Sequence, residues 1–358
     1  MSLLEDIQTY SQIFGPSGAE DQVIRHFVAE LRELGFTPRV DALGNVTVPI
    51  QPPAPDWPHV LVCAHLDEVG FVVRKIESSG LLRVTRIGGI NDRAIAGQRV
   101  VFQTADGALV EGCVGLKAKH LSTPEEIRTA IPVDEAYIDV MAASAEEVRA
   151  MGLEVGDPGT FVGPFIHRGS WIRGKALDNR VGIALLVELA RRVLQQPLRV
   201  GLTLLATVQE EFTMRGGTPA FRAIQPDFAI GLDVAVATDT PDSTSLSEID
   251  LGQGVVIHRY SKGGPSGLIP NPKLVAYARN VARDSGIPAV PGVLLGGLTD
   301  ASFMQYEGAG VAFLELGFPT RYTHTPVETC HLGDIQATAD LTWAMLHKLP
   351  QGFELQRG

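Results

Sequence analysis

Four short apolar runs constrain the fold most: "HVLVCAH" (59–65), "RVGLTLLATVQ" (199–209), "DFAIGLDVAV" (227–236) and "GVAFLEL" (310–316). Buried strands of this kind, alternating with helices, belong to a largely parallel sheet with helices on both faces. The helices stand between them as "NRVGIALLVELARRVLQ" (179–195), "NPKLVAYARNVARDSG" (271–286) and "TADLTWAMLHKL" (338–349). An earlier helix is predicted in "SGAEDQVIRHFVAELRELGF" (17–36), where Val23, Ile24, Phe27, Val28, Leu31 and Leu34 recur at helical spacing. Ser17 and Glu20 at its start read as a capping box. "TPRVDALGNVTVPI" (37–50) reads as a hairpin turning near Gly44-Asn45.

Between about Phe71 and Ile166 the texture changes. "GFVVRKI", "LLRVTRI", "QRVVFQT", "LVEGCVG" and "AYIDVMA" are short β-rich runs separated by glycines and charged turns, the pattern of a small all-β barrel or sandwich. The expected architecture is an α/β domain with a mixed, largely parallel sheet, formed by residues 1–67 and 168–358. A small barrel-like insertion, 68–167, interrupts it. Strand edges exposed on such an insertion are expected to pair with those of a second copy.

The balance of charge excludes several function classes. A net charge of -11 is the wrong sign for nucleic-acid binding, which needs clustered Lys and Arg to meet phosphates. No stretch approaches the roughly 20 apolar residues that span a bilayer. "MSLLEDIQTYSQ" lacks the basic and apolar regions of a signal peptide. Cys63, Cys113 and Cys330 are widely spaced and odd in number, so no disulfide framework is expected. A reducing compartment, most simply the cytoplasm, follows.

The chemistry gathers where the buried strands end. "TVQEEFTMRGG" (207–217) puts Glu210 and Glu211 side by side after an apolar run. Read as strand residues, they point to opposite faces. Like charges so close raise one another's pKa unless a cation lies between them or they do different work. In open α/β sheets, ligands bind outside the carboxyl ends of the strands. His65, Asp67 and Glu68 follow the first run, Asp233 the third, and "GFPTRYTHTPVE" with His324 the fourth. Asp178, in "GKALDNRVG", precedes a long helix. Imidazoles and carboxylates converging on one edge match a dinuclear hydrolytic metal site, which needs a carboxylate able to bridge ions roughly 3.5–4 Å apart. Asp67 is placed to accept the hydrogen bond of the second His65 nitrogen.

"AHLDEVGF", "GKALDNRVG", "VQEE…RGG", "GLDVA" and "RYTHTPVE" together resemble the motifs of the glutamyl and tetrahedral (TET) aminopeptidase family of dinuclear metallopeptidases, in order and rough spacing. "GPSGAE", "YIDVMAASAEE" and "NPK" extend the resemblance over nearly the whole chain. It implies a zinc-exopeptidase-like fold acting on the N-termini of peptides. It implies two divalent ions per subunit, with zinc the default and cobalt also suited to nitrogen and oxygen donors. His65 and Asp233 would hold one ion, Glu211 and His324 the other, and Asp178 would bridge both. Glu210 would be the general base and Asp67 the orienter of His65. The insertion would be a dimerisation domain, with dimers assembling into a dodecamer, and the Asp178–Asn179 peptide bond would be cis. One departure stands out: Phe212 and Thr213 occupy positions where the family carries Val-Gly, next to the pocket.

Other residues take ordinary readings. His26, His59, His167, His258 and His347 read as core or surface histidines, His331 as structural and Asp300 as a helix cap. Glu68 is set aside, and His120 in "KAKHLSTPEE" is left open. Two other functions compete with the aminopeptidase. Paired carboxylates also hydrolyse glycosides, and relatives are sometimes labelled endoglucanases, but glycosidases do not require two strand-end histidines. A non-catalytic assembly protein on the same scaffold is the other.

Overall fold

In the computed structural model, which describes residues 1–357, a mixed sheet of twelve strands forms the body of the molecule. Its centre is parallel. The strands Gly201–Thr207, His59–His65, Phe228–Val236 and Ala312–Arg321 lie side by side in that order. The strands flanking this centre run antiparallel to it: Val46–Gln51 beside Gly201–Thr207, and Glu328–His331 and Val255–Gly263 beside Ala312–Arg321. The Arg39–Val40 and Val46–Gln51 strands form the predicted hairpin.

The lack of polar alternation in the central strands is explained by two cores. On His59–His65, Val60, Val62 and Ala64 pack into a large core with Val181, Ala184 and Leu185 of the helix Leu177–Gln195. Leu61 and Cys63, pointing the other way, pack with Phe221 of Thr218–Ile224 and Met304 of Ala301–Met304. Each fully buried Val, Leu or Phe contributes about 1.5–3 kcal/mol, so both faces must stay apolar. Within these strands a few polar side chains, Thr203, Asp233 and Glu315, are buried as well.

The insertion is a closed barrel. Gly70–Ile76, Leu81–Ile87, Tyr137–Asp139, Leu109–Val114, Arg99–Gln103 and Pro158–Phe161 follow one another around it, and the last pairs with the first. Its own core includes Phe71, Val73, Leu82, Val84, Phe102, Ile138 and Phe161. Every barrel strand has neighbours on both sides, but the short Tyr137–Asp139 pairs only with Leu81–Arg83 and Cys113–Val114, so Val84–Ile87 and Leu109–Gly112 are paired on one side. The closing strand, Pro158–Phe161, lies in "DPGTF", whose Pro and Gly read as a turn.

The chain leaves the sheet after His65 and rejoins it at Ile166–Arg168, which pairs with Trp171–Gly174. Glu68 fastens the seam. Its carboxylate accepts Lys175 Nζ at 2.7 and 2.8 Å and the hydroxyl of the barrel's Thr160 at 2.9 Å. Arg180, fully buried, lies 3.4 Å away and donates to the carbonyls of Tyr10, Ile13 and Gly15. Among the described residues no helix is long and apolar enough to cross a membrane.

Candidate metal centre

The two glutamates do not sit on a strand. The ladder ends at Thr207, because the next two amides turn to side chains: Val208 N–H donates to Asn45 Oδ1 and Gln209 N–H to Glu20 Oε1. Gln209 adopts φ +58 and a short helix, Glu210–Thr213, begins. Asp67 holds that turn, its Oδ1 and Oδ2 accepting the Glu210 and Glu211 amides at 3.0 Å each. The glutamates therefore diverge by helical rotation and not by strand alternation.

Ser17 and Glu20 are also corrected. The helix Asp21–Glu33 starts without a side-chain cap. Ser17 instead donates to Asp67 Oδ2 at 2.5 Å, and Glu20 receives Gln209. Burial and the neighbouring Asp67 charge push the Glu20 carboxyl up to about 7. Asp67 itself stays below the ordinary carboxylate range: burial opposes its charge, but the neighbouring His65 ring favours it, and the Ser17 hydroxyl and Glu210 amide donate to it. Asp300, expected to cap a helix, makes no cap; its carboxylate accepts Thr207 Oγ1 at 2.5 Å.

All seven side chains singled out in the sequence come together. His65 Nε2 lies 3.2 Å from Asp178 Oδ1, 3.9 Å from Asp233 Oδ1 and 3.9 Å from Glu210 Oε2. His324 Nε2 lies 3.4 Å from Asp178 Oδ2 and 3.2 Å from Glu211 Oε1. Three groups of donor atoms can each surround an ion: His65, Asp178 and Asp233; His65, Glu210 and Glu211; and Asp178, Glu211 and His324. Asp178 turns one carboxylate oxygen to each histidine. Its peptide bond to Asn179 is cis, and Asn179 Nδ2 donates to the Leu232 carbonyl at 2.8 Å.

Each histidine is aimed by a carbonyl. His65 Nδ1 is 3.1 Å from the backbone oxygen of Asp67 and 3.5 Å from its carboxylate. The acceptor in hydrogen-bond reach is thus the Asp67 carbonyl, not the side chain expected from sequence. A carbonyl can only accept, so Nδ1 carries the proton and Nε2 turns a lone pair to the cluster. His324 Nδ1 donates in the same way to the carbonyl of Gly89, from the barrel, at 3.1 Å.

Sequence reasoning missed three contributors. Gly89 is one: a Cβ there would come within 3.0 Å of His324 Nδ1. Gly88 is another: a Cβ there would lie 2.7 Å from Val69 Cγ1 and 3.3 Å from Glu211 Oε2. The signal was the Gly88-Gly89 doublet just after a strand. The third is Glu328, at the end of "RYTHTPVE", whose carboxylate accepts the amides of both His324 (2.7 Å) and Asp178 (3.0 Å). His324 has φ +63, uncommon outside glycine, and this bond ties it down. His120 is exposed on the barrel side, and Phe212 is 64% exposed; neither lines the cleft.

The electrostatics call for cations. Five carboxylates and two imidazoles share this site, while nearby Lys175 and Arg180 are committed to Glu68. Burial raises the Glu210 and Asp233 carboxyls well above their usual range, and Glu211 less far. Burial works against charge on His65 and His324 too, but the carboxylates around them raise both. Buried like charges persist only when paired or bound to metal. Glu210 Oε1 is buried without any partner among the described residues. Nitrogen and oxygen donors at these separations suit divalent ions.

Residues 44–341 match the family described as M42 glutamyl aminopeptidase. A lysyl aminopeptidase from Pyrococcus furiosus is 34% identical over 94% of either chain. Among solved structures, the aminopeptidase APDkam598 of Desulfurococcus kamchatkensis superposes with a TM-score of 0.91 at 33% identity, covering 98% of this chain and 95% of that one. The TET1 peptidase of Pyrococcus horikoshii, which can assemble into a tetrahedron or a large octahedral shell, gives 0.86 at 28% identity over 97% and 100%. The chain belongs to the M42 glutamyl aminopeptidase family and is a peptide-bond hydrolase of the aminopeptidase class.

Proposed function

We propose that this aminopeptidase is a dinuclear metal enzyme that removes N-terminal residues from peptides. His65 and Asp233 serve one divalent ion, Glu211 and His324 the second, and Asp178 is shared. The observation that carries the reading is Asp178, whose two oxygens lie 3.2 and 3.4 Å from the two histidines. Zinc is the default and cobalt fits the same donors. When bound, the ions supply Lewis-acid chemistry, polarising the scissile carbonyl and making water more acidic.

The residues of the chain do the rest. Glu210 lines the same cleft as the donors and has its Oε1 free of protein partners. It takes a proton from the attacking water and passes it to the leaving amine. Asp67 holds the turn that separates Glu210 from Glu211, and Gly89 and Glu328 set the His324 ring and backbone.

Glu210→Gln tests the assignment. It should keep full metal content and lose about 10²–10⁴-fold in kcat, whereas Glu211→Gln should lose metal as well. Near wild-type kcat in Glu210→Gln at full metal loading would put the base elsewhere. Chelator-sensitive cleavage of aminoacyl anilides, with no action on cellulose, separates this reading from a glycosidase.

We also propose a homo-oligomer built from dimers and reaching a dodecamer, in the cytoplasm. The shell-forming relative supports assembly, and the free cysteines fit a reducing compartment. A monomer in sedimentation at micromolar concentration overturns the assembly.

A further inference from the structure

The donor residues line part of a cleft of about 210 Å³. Its remaining wall has a single character. Met214, Val234, Val236, Leu294 and Leu298 supply the larger side chains, and the other positions are glycines and threonines. Resting on the aminopeptidase reading above, we propose that this wall receives the N-terminal side chain of the substrate and selects an uncharged aliphatic or thioether group, of the leucine and methionine class, over acidic and basic ones.

The argument is one of missing counter-charges. An N-terminal Glu or Asp needs a cation in the pocket, yet no lysine or arginine lines the cleft among the described residues. The arginines nearest in sequence to its walls are engaged. Arg215 stacks on Phe303 at 4.6 Å, and Arg321 forms a two-pronged pair with Asp239 at 2.7 Å. An N-terminal Lys or Arg needs a carboxylate that is not already committed. Every carboxylate in the lining belongs to the donor set or is Glu210, and those charges are taken up by the ions and the proton transfer. A charged side chain would therefore lose its hydration with nothing in return. An aliphatic one gains about 25 cal/mol per Å² of apolar surface buried. Met214, unbranched and adaptable, lets the wall follow side chains of different shape.

The family description names glutamyl, and the Pyrococcus furiosus relative is a lysyl enzyme. The cleft of this chain holds the counter-charge for neither.

The test is a panel of Leu, Met, Ala, Glu, Asp, Lys and Arg anilides assayed on the metal-loaded full-length enzyme. Leu and Met should exceed the charged substrates in kcat/KM by about 10²-fold or more, the discrimination an apolar pocket makes against a polar side chain, and should exceed Ala by roughly tenfold. Binding of the products L-leucine, L-glutamate and L-lysine, followed by calorimetry on the same protein, should give the same ranking without turnover. Val236 is 42% exposed at the end of its strand and takes no part in the chemistry. Val236→Arg should raise the Glu-to-Leu ratio several-fold, as expected of one solvent-facing ion pair. A Glu or Lys substrate cleaved as well as Leu overturns the inference but leaves the aminopeptidase standing, as does an unchanged ratio in Val236→Arg. Failure to cleave any member with both ions bound overturns the two together.

Discussion

The large sheet and the barrel contribute to the site in opposite ways. The sheet and its connecting turns supply all seven side chains of the cluster, from His65 to His324. The barrel supplies no donor side chain, but offers the Gly89 carbonyl that aims His324, and leaves room beside Glu211 at Gly88, where a Cβ would lie 3.3 Å from Glu211 Oε2. Exposure follows the same division. His65, inside the sheet, is 2% exposed, and His324, facing the barrel, is 28% exposed in its side chain. One imidazole is fixed by its own strand, the other across a domain seam. A catalytic domain can thus carry its ligands and still depend on a neighbour that carries none, since orientation is set as much by a carbonyl as by a side chain.

The largest effect should come from the sheet side. Asp178→Asn removes the one carboxylate that reaches both histidines, so affinity should fall at both metal positions. The loss should exceed the roughly 10–100-fold typical of a positioning partner. Asp233→Asn should weaken mainly the position shared with His65. Calorimetric titration of the metal-free protein separates the cases, and two unaltered sites in Asp178→Asn would sink the bridging assignment.

The barrel side should give the next effect. Gly89→Ala places a methyl 3.0 Å from His324 Nδ1, so the ring must shift by a few tenths of an ångström against its carbonyl acceptor. Metal affinity at the His324 position should drop by roughly 10–100-fold, with the His65 position unchanged. If both positions weaken equally, the comparison between the regions fails, because the barrel would then be setting the whole cluster.

Side chains were legible in sequence where the fold leaves them a single place. Apolar runs closed by acids and histidines revealed the parallel centre of the sheet and gathered His65, Asp178, Glu210, Glu211, Asp233 and His324 at one edge. Backbone contributions were not legible, since a carbonyl has no residue type, and only the Gly88-Gly89 doublet betrayed one. Ser17 and Glu20 misled because the spacing of a capping box also suits two residues that serve Asp67 and Gln209 from a distance. The paired glutamates misled for a related reason: Asn45 and Glu20, far away in sequence, end the strand before them. Local pattern lost to tertiary partners in both cases. Strand Pro158–Phe161 was hidden by its Pro and Gly, which closure of the barrel tolerates.

The smallest effect tests the seam itself. Thr160, on the closing strand of the barrel, donates its one hydroxyl proton to Glu68 Oε2 at 2.9 Å and to the Val69 carbonyl at 3.1 Å. Thr160→Val keeps the shape and removes the donor. Glu68 still holds Lys175 through both oxygens, so no buried charge is stranded. The cost should be that of an unsatisfied buried acceptor, about 1–3 kcal/mol, read as a lower denaturant midpoint with an unchanged slope. Metal affinity at the His324 position should stay as it was. Gly89 follows the strand Leu81–Ile87, whose Val84–Ile87 half is laddered to Gly70–Val73, so its carbonyl is placed by that ladder more than by the Thr160 bond. Loss of metal without loss of stability would reverse that order, making the seam, and not the ladder, the element that aims His324.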